Sequence, residues 1–567
     1  MPDDPVLLER HFDTAFAAPN GIQKLRELIL TLAMQGKLVP QDPSDQPAIE
    51  LLKEIEVEKQ RLVKEGKVKQ PKPLPEIKPG EIPYKLPINW EWVRLGELGE
   101  AQTGTTPPTK DAENLGSFIP FIGPGDIKNH AIDYSGEGLS EIGLSKGRLI
   151  EKNSVLMVCI GGSIGKHAIN DRNITCNQQI NTITPYKREA IKYMFFAMGE
   201  ESFQQIVLGQ SGGSATPIIN KQKWSSIPVP LPPLAEQHRI VAKIDRLMAR
   251  CDELEKLRAE GNQKRITVHT AALDRLLNVK ESNDFSTAWR FITQHFGELY
   301  SVKENVAELR KAILQLAVMG KLVPQDPTDE PASELLRAIA TEKQQLIKEG
   351  KIKQPKPLPE IELKEISYEL PENWEWVRLG DITRLQNGFA FKSDDYSSQG
   401  IKLIRNVNIS HGFIDHTNIA YYPDFDRMKF EDFELSKGDI LISLDRPIIS
   451  TGLKIAILNS QDVPSLLVQR VGRVRIELLK ISLLFLFNWF NSPLFVDRIA
   501  PGRSNGVPHI STKEIEMLLF PLPPLAEQYR IVAKLHKLMA LCDTLDHQID
   551  AATGKQADLL NAVMAQV

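Results

Sequence analysis

The sequence predicts an α+β chain written twice, in which a repeated helical frame encloses two unlike inserts built on short strands. Three observations carry this expectation. A set of motifs recurs at a nearly constant offset, the stretches that bear them have helical periodicity, and the stretches between alternate short apolar runs with Gly/Asn/Asp/Ser clusters.

The repeat is literal. Gly36-Lys37-Leu38-Val39-Pro40-Gln41-Asp42-Pro43 returns at Gly320 to Pro327, an offset of 284. The same offset carries Lys67–Ile77 onto Lys351–Ile361 and Asn89–Gly96 onto Asn373–Gly380. Pro230–Gln237 (PLPPLAEQ) returns at Pro521–Gln528 with an offset of 291, so the second copy is seven residues longer. The extra residues fall between the Trp motif and the Pro motif, where the two copies also stop resembling each other.

Each frame opens on a helix. Ile22, Leu25, Ile29 and Leu32 have 3,4,3 spacing and stop at Gly36, a C-cap residue; Val306, Leu309, Ile313 and Leu316 repeat this before Gly320. A second helix follows, N-capped by Asp45 or Asp329 with Pro47 or Pro331 in its first turn. It runs through Leu51, Leu52, Ile55 and Leu62 to Gly66, and in the second copy to Gly350. The Lys-Gln-Pro-Lys-Pro-Leu-Pro stretch beyond is an extended, basic connector.

After each Pro motif the apolar spacing becomes 4,3,4,3, that of a coiled-coil seam: Ile240, Ile244, Leu247, Cys251 and Leu254, then Ile531, Leu535, Leu538, Cys542, Leu545 and Ile549. One such helix would be explained by a local core. Two in register favour packing of one seam on the other. The loosest point between the halves is expected at Ser282 to Ser286. The inserts, 97–229 and 381–520, read as mixed α+β domains, with Ile119–Ile122 and Ile401–Ile404 as equivalent strands. The full plan is a helical frame over 1–88, an insert domain over 89–229 and a central helix with linker over 230–304. A second frame over 305–372, a second insert domain over 373–520 and a distal helix over 521–567 complete it.

Composition excludes several classes. With 567 residues the chain exceeds one core, and 42% hydrophobic content is too high for global disorder. The longest apolar run, Ile481 to Phe487, is far below the roughly 18–20 residues of a bilayer helix. Met1-Pro2-Asp3-Asp4 is acidic where a signal peptide is basic. Four cysteines without a C-x-x-C pair exclude a disulfide scaffold or a zinc ribbon. A soluble, cytoplasmic, multidomain protein with no membrane partner is expected.

Catalytic signatures are missing. Gly161-Gly162-Ser163-Ile164-Gly165-Lys166 is one residue short of a phosphate loop and continues with His167 rather than Ser or Thr. No Asn/Asp-Pro-Pro-aromatic motif occurs. Glu434 and Lys437 give E-x-x-K where a restriction-nuclease metal site has E-x-K. The histidines form neither H-E-x-x-H nor a Cys/His ligand cluster, so no catalytic residue, metal or cofactor is assigned to this chain.

What the inserts do hold is polar loop chemistry suited to base edges and phosphates. In the first the candidates are Thr103, Thr105, Lys128, Lys166, Asn177, Gln178, Ser211 and Ser214. In the second they are Asn387, Lys392, Arg405, Asn406, Arg446, Arg470, Arg503 and Asn505. Asn and Gln pair bidentately with adenine and Arg with guanine, while Lys, Arg, Ser and backbone amides hold phosphates. Ordinary turn chemistry is the competing reading for each cluster. Residues 96–228 carry 12 Lys+Arg against 13 Asp+Glu, and 380–519 carry 16 against 16. Without a basic excess, the chain needs either focused charge or partners for its backbone grip.

A duplicated frame around two variable inserts, with Pro-Leu-Pro-Pro-Leu-Ala-Glu-Gln-x-Arg-Ile-Val opening a long helix after each, resembles the specificity subunit of type I restriction-modification enzymes. The Gly-Lys-Leu-Val-Pro-Gln-Asp-Pro stretches resemble the branch with an extended N-terminal helical region. The resemblance implies two target-recognition domains, each reading half of a split site in double-stranded DNA. It implies helices paired as an antiparallel coiled coil with an internal pseudo-two-fold repeat, through which the chain docks two methyltransferase subunits. Those partners would use S-adenosylmethionine to methylate adenine N6 on a flipped base, and restriction/translocase subunits would use ATP and magnesium. The seam residues Ile240, Ile244, Leu247, Leu254, Ile531, Leu535, Leu538 and Leu545 would form the ruler. Leu234 to Arg258 is 25 residues, about 37 Å, against about 34–36 Å for a DNA turn. A self-contained modification enzyme and a coiled-coil protein adaptor are the alternatives. The missing motifs count against the first, and inserts that differ within a fixed frame count against the second.

Overall fold

The computed structural model describes residues 16–108, 110–212, 217–278, 282–352, 354–475, 481–499 and 509–565. They divide into two compact units, bounded at Glu260/Gly261 and Ala551/Ala552, with the chain's final segment in the first. Both are α+β, as expected.

In the first unit α1 (Gly21–Met34) ends where Gly36 turns to φ +70° and the Lys37 amide reaches back to the Leu32 carbonyl at 2.8 Å. Only a residue without a Cβ enters that conformation freely, which is why the glycine stops the helix. Next comes α2 (Ala48–Lys64), closed likewise by Gly66. The insert then lays down β1 (Glu91–Arg94), β2 (Gly99–Thr103), β3 (Phe121–Ile122), β4 (Val155–Val158), β5 (His167–Ile169), β6 (Thr175–Cys176) and β7 (Ile180–Pro185). Helices α3 (Ile191–Gly199) and α4 (Glu201–Gln210) precede β8 (Pro228–Leu231) and the start of the long α5 (Leu234–Asn278), whose residues from Gly261 belong to the second unit. β1 and β8 pair antiparallel, so the Trp motif and the Pro motif form the neck of the insert. Within it β2-β7-β4-β5 make one antiparallel sheet, and β3 pairs in parallel with β6. Val155, Met157, Ile183, Met194, Met198 and Trp224 fill the core on one face of that sheet.

The second unit repeats the plan. It contains α6 (Lys303–Val318), α7 (Ala332–Lys348), β9 (Glu375–Arg378), β10 (Arg384–Asn387), β11 (Ile401–Ile404), β12 (Ile440–Ser443), β13 (Ile455–Ile457), β14 (Ser465–Leu467) and β15 (Val471–Arg475). There follow α8 (Leu483–Asn491), α9 (Pro493–Ile499), β16 (Leu519–Leu522) and the start of α10 (Leu525–Met564). β9 pairs with β16, β10-β15-β12-β13 form the antiparallel sheet, and β11 runs parallel to β14 as β3 does to β6.

Three repeated motifs meet on one buried carboxylate in each unit. Glu236, 1% exposed, accepts the indole N–H of Trp90 at 2.9 Å and the Gln41 amide at 2.5 Å. Glu527, equally buried, accepts from Trp374 at 2.9 Å and Gln325 at 2.7 Å. A second knot uses the arginine of the Trp motif. Buried Arg94 pairs with Glu81 at 2.9 Å and donates to the carbonyls of Pro75, Glu76 and Ser226, and Arg378 does the same with Glu365, Pro359, Glu360 and Met517. The proline-rich connector, which has no regular structure of its own, is thereby pinned at its carbonyls.

Several sequence expectations are corrected. Asp45 and Asp329 do not cap α2 and α7, whose N-caps are Pro47 and Pro331; they face Arg239 at 2.6 Å and Arg530 at 2.5 Å instead. The local core under the first seam is built by α1: Ile240, Ile244 and Cys251 are buried with Ile22, Ile29, Ala33 and Met34, and Leu247 packs on the same cluster. Ile531, Leu535, Leu538, Leu545 and Ile549 lie in a cluster with Val306, Leu309 and Ile313 of α6. Each frame's first helix had an apolar face of its own to bury, and it takes the seam. Leu254, beyond that cover, is 47% exposed. The 25-residue ruler is the first part of a helix of 45 residues. Ser282–Gln294 is helical rather than loose, burying Ala288 and Ile292.

Glu236→Ala would strand a buried indole N–H, an amide and their shared site, and we expect it to cost about 2–4 kcal/mol in urea unfolding monitored by tryptophan fluorescence. Burial raises the Glu236 and Glu527 carboxyls above 4.5. A raised carboxyl contributes stability that is fully present below the unfolded value and falls as pH climbs through the folded one. The double variant Glu236→Gln, Glu527→Gln should therefore lose less stability than the native chain as pH rises from 4.5.

Candidate nucleic-acid interface

The loops of each insert collect at one end of its antiparallel sheet. In the first unit the registers Thr103↔Asn181 and Val158↔Ile180 bring the end of β2, the start of β7 and the end of β4 to the same edge. The amide of Thr105 donates to Cys176 at 2.8 Å and that of Cys159 to Gln179 at 2.8 Å; Gly161 donates to Pro217 at 2.9 Å. Gly212 and Ile218 exchange two bonds of 2.9 Å, which brings in the end of α4. Thr103, Thr105, Lys166, Asn177, Gln178 and Ser211 therefore belong to one loop cluster.

Main-chain contacts set the shape of this cluster. A Cβ on Gly104 would lie 2.2 Å from the Asn177 carbonyl oxygen, so the strand passes the 176–178 turn at a distance only glycine permits. The Thr103 hydroxyl donates to buried Asn181 at 2.8 Å, and Arg148 donates to the Thr103 carbonyl at 2.6 Å. Asn177 accepts the Gln179 amide on its side-chain oxygen at 2.7 Å, while the Thr106 hydroxyl bonds exposed Gln178. Ser211 caps the end of α4 through the Leu208 carbonyl at 2.6 Å. The Lys166 side chain is exposed at the end of the β4–β5 turn. Lys128 stands apart, on a two-stranded hairpin (Ile127–Lys128 with Ala131–Ile132), 3.6 Å from Asp133.

The second unit builds the same end from other side chains. Gly388 takes the place of Gly104, its Cβ position 2.2 Å from the Val468 carbonyl, and Leu444 donates to Arg470 at 2.9 Å as Cys159 does to Gln179. Asn387, Arg446 and Arg470 lie here. The Asn387 amide reaches Thr512 at 3.3 Å. Arg405 and Asn406 follow β11 beside the 468 turn, where the Val468 amide donates to Ile404 at 3.3 Å. Each makes one internal contact: the Arg405 guanidinium donates through a terminal nitrogen to the Asn418 carbonyl, and Lys454 donates to the Asn406 main-chain carbonyl. Lys392 is exposed before a 3-10 turn at Ser393–Asp395. Ser214, Arg503 and Asn505 lie outside the described residues.

Reactive groups nearby are silent. Burial pushes the Cys159 and Cys176 thiols up to about 12 and the His167 imidazole down to about 4, so they stay neutral near pH 7. Among the described residues no group of three or more His, Cys, Asp or Glu could hold a metal ion. No described helix is long and apolar enough to cross a membrane. Sequence reasoning missed Asn181 and the close main-chain approach at Gly104 and Gly388. The glycines' signal, a Gln-x-Gly at offset 284 in both inserts, was present in the repeat; buried Asn181, inside β7, had none.

Two copies of one frame, each displaying a loop cluster with matched main-chain contacts and unlike side chains, define a double-headed recognition protein. The chain belongs to the family of type I restriction-modification DNA specificity subunits. The model for the type I restriction modification DNA specificity domain matches twice, over residues 87–261 and 371–552. The chain is 42% identical to the specificity subunit of type I restriction enzyme EcoAI of Escherichia coli, over 96% of this chain and 93% of that one. It is 30% identical to the EcoEI specificity subunit of the same organism, with the same coverage of both chains. The HsdS subunit from Thermoanaerobacter tengcongensis aligns over 84% of this chain and 97% of its own at 18% identity, with a TM-score of 0.41. As a member of this family the chain recognises DNA and is not itself an enzyme.

Because the loops are shaped by glycine contacts, Gly104→Ala should displace the 103–106 segment from the 176–178 turn, and Gly388→Ala the equivalent pair. Each is expected to weaken DNA binding by the assembled methyltransferase at one end of its site only, read by footprinting. Protection lost evenly along the site would contradict a separate role for each cluster.

Proposed function

We propose that each insert, residues 89–229 and 373–520, is a target-recognition domain reading one half of a split DNA site. The observation that carries this reading is the loop end itself: the same hydrogen bonds hold Gln179 and Arg470 in place, and different side chains are displayed around them. Phosphate contacts fix position and base-edge contacts give sequence, so two unlike clusters on a like frame read unlike half-sites. The repeated frame, with its helices α5 and α10, docks two methyltransferase subunits and pairs as an antiparallel coiled coil about an approximate two-fold axis. Those partners bring S-adenosylmethionine. Restriction/translocase subunits bring ATP and magnesium, and the whole complex works in the cytoplasm, where the DNA is. The even charge balance of both inserts fits a chain that depends on partners for much of its backbone grip.

Replacing residues 97–229 with a second copy of 381–520 tests this. The chimera, expressed with its methyltransferase partners, should methylate an inverted repeat of the second half-site, with a spacer set by the unchanged helices. Methylome sequencing gives the result. A direct repeat would refute the two-fold arrangement, and an unchanged asymmetric motif would refute the assignment of reading to the inserts.

A further inference from the structure

The repeat provides an internal comparison, because three positions at the loop end have matched main-chain contacts in both units. In the first unit the Cys159 amide donates to the Gln179 carbonyl, and Ile160 forms a β-bridge with Ile218. In the second the Leu444 amide donates to the Arg470 carbonyl, and Asp445 bridges His509. The node Gln179, Ile160, Ile218 thus becomes Arg470, Asp445, His509 on the same backbone. An apolar pair beside an amide has been exchanged for a cation, a carboxylate and an imidazole.

The charged version is organised. Asp445, 22% exposed, receives His509 Nδ1 on one oxygen at 2.9 Å and faces Arg470 Nε with the other at 3.5 Å. With Nε turned toward Asp445 at ion-pair range, the arginine keeps its two terminal nitrogens for an outside acceptor pair, and among the described residues neither has a protein partner. The Arg470 side chain is 57% exposed. Its backbone lies at φ +79°, and that of Arg446, next to Asp445, at φ +45°. Left-handed conformations in residues other than glycine are costly and persist where surrounding contacts enforce them, often at binding sites. Here two occur on facing turns, around one carboxylate.

We propose that Arg470 is a specificity-determining residue of the second insert, reading a guanine in the major groove, and that Asp445 is its positioning residue. A planar fork with two terminal N–H groups matches guanine O6 and N7, whereas a phosphate needs only a point charge. His509 keeps Asp445 from turning away. Gln179 at the same node of the first insert carries an amide, whose donor and acceptor match adenine. The inference rests on the assignment of base reading to the inserts.

The test uses the full chain assembled with its methyltransferase partners, with the methylated motif read by methylome sequencing and affinity by salt-dependent binding. Arg470→Ala should make one guanine of the second half-site degenerate, with discrimination there falling about tenfold to a hundredfold, and leave the first half-site intact. Arg470→Lys should relax the same position, since it keeps the charge and loses the fork. Asp445→Asn should relax that position partly without changing the salt slope, which a loss of folding would not do. 7-Deazaguanine at that position in synthetic DNA should weaken native binding and leave binding by Arg470→Ala unchanged. An unaltered motif in Arg470→Ala, or rescue by lysine with a reduced salt slope in the alanine variant, overturns the proposal. If the insert chimera yields its inverted repeat in the same assay, only the assignment of Arg470 fails; if the chimera keeps the native motif, the reading by inserts fails with it.

Discussion

A buried carboxylate at the start of each long helix holds the architecture together. Glu236 and Glu527 join, in one hydrogen-bonded group each, a helix-ending loop, the neck strand of the insert and the first turn of α5 or α10. A carboxyl at 1% exposure is tolerable only with its acceptors occupied. The three segments that satisfy it must therefore be brought together. This explains why the stretches repeated most faithfully contain Gln41, Trp90 and Glu236, residues far apart in the chain. It also fixes the direction in which the insert leaves the frame, since β1 and β8 are paired immediately beside it.

The frame and inserts follow different physical rules. In the frame, side chains bear the structure: Arg94 and Arg378 are nearly fully buried and bind three carbonyls each in addition to a glutamate. At the loop end, the main chain bears it through amide-to-carbonyl contacts and glycine approaches, as at Gly104 and Gly388. Loop side chains such as Gln178, Lys166 and Arg470 point to solvent instead. The division lets the outward chemistry differ between the two units over matched main-chain hydrogen bonds.

Much of this was legible in the sequence, because repeats and periodicity are local properties. The offsets 284 and 291 gave the duplication, the 3,4,3 spacing gave α1 and α6, and the glycines gave their ends. The failures share one cause. Asp45 has the local look of an N-cap, yet its partner Arg239 lies 194 residues away, where no local rule reaches. A 4,3,4,3 stripe names a face to be covered and not what covers it, so α1 was missed as the cover for Ile240 and Ile244. Polar loop residues carry even less: Arg405 and Arg470 look alike in sequence, yet one is tied to the Asn418 carbonyl and the other is braced by Asp445.

The glycine approaches have a consequence for how such a chain changes over generations. A loop whose path is set by amides and carbonyls keeps that path when its outward residues are exchanged, so point substitutions there cost little stability. Heritable variation can accumulate at positions such as 178, 179, 469 and 470 without compensating changes in the core. Substitution of the two glycines is blocked from within, because any side chain would collide with a carbonyl. The lineage can therefore alter what the loops present far more readily than where they present it.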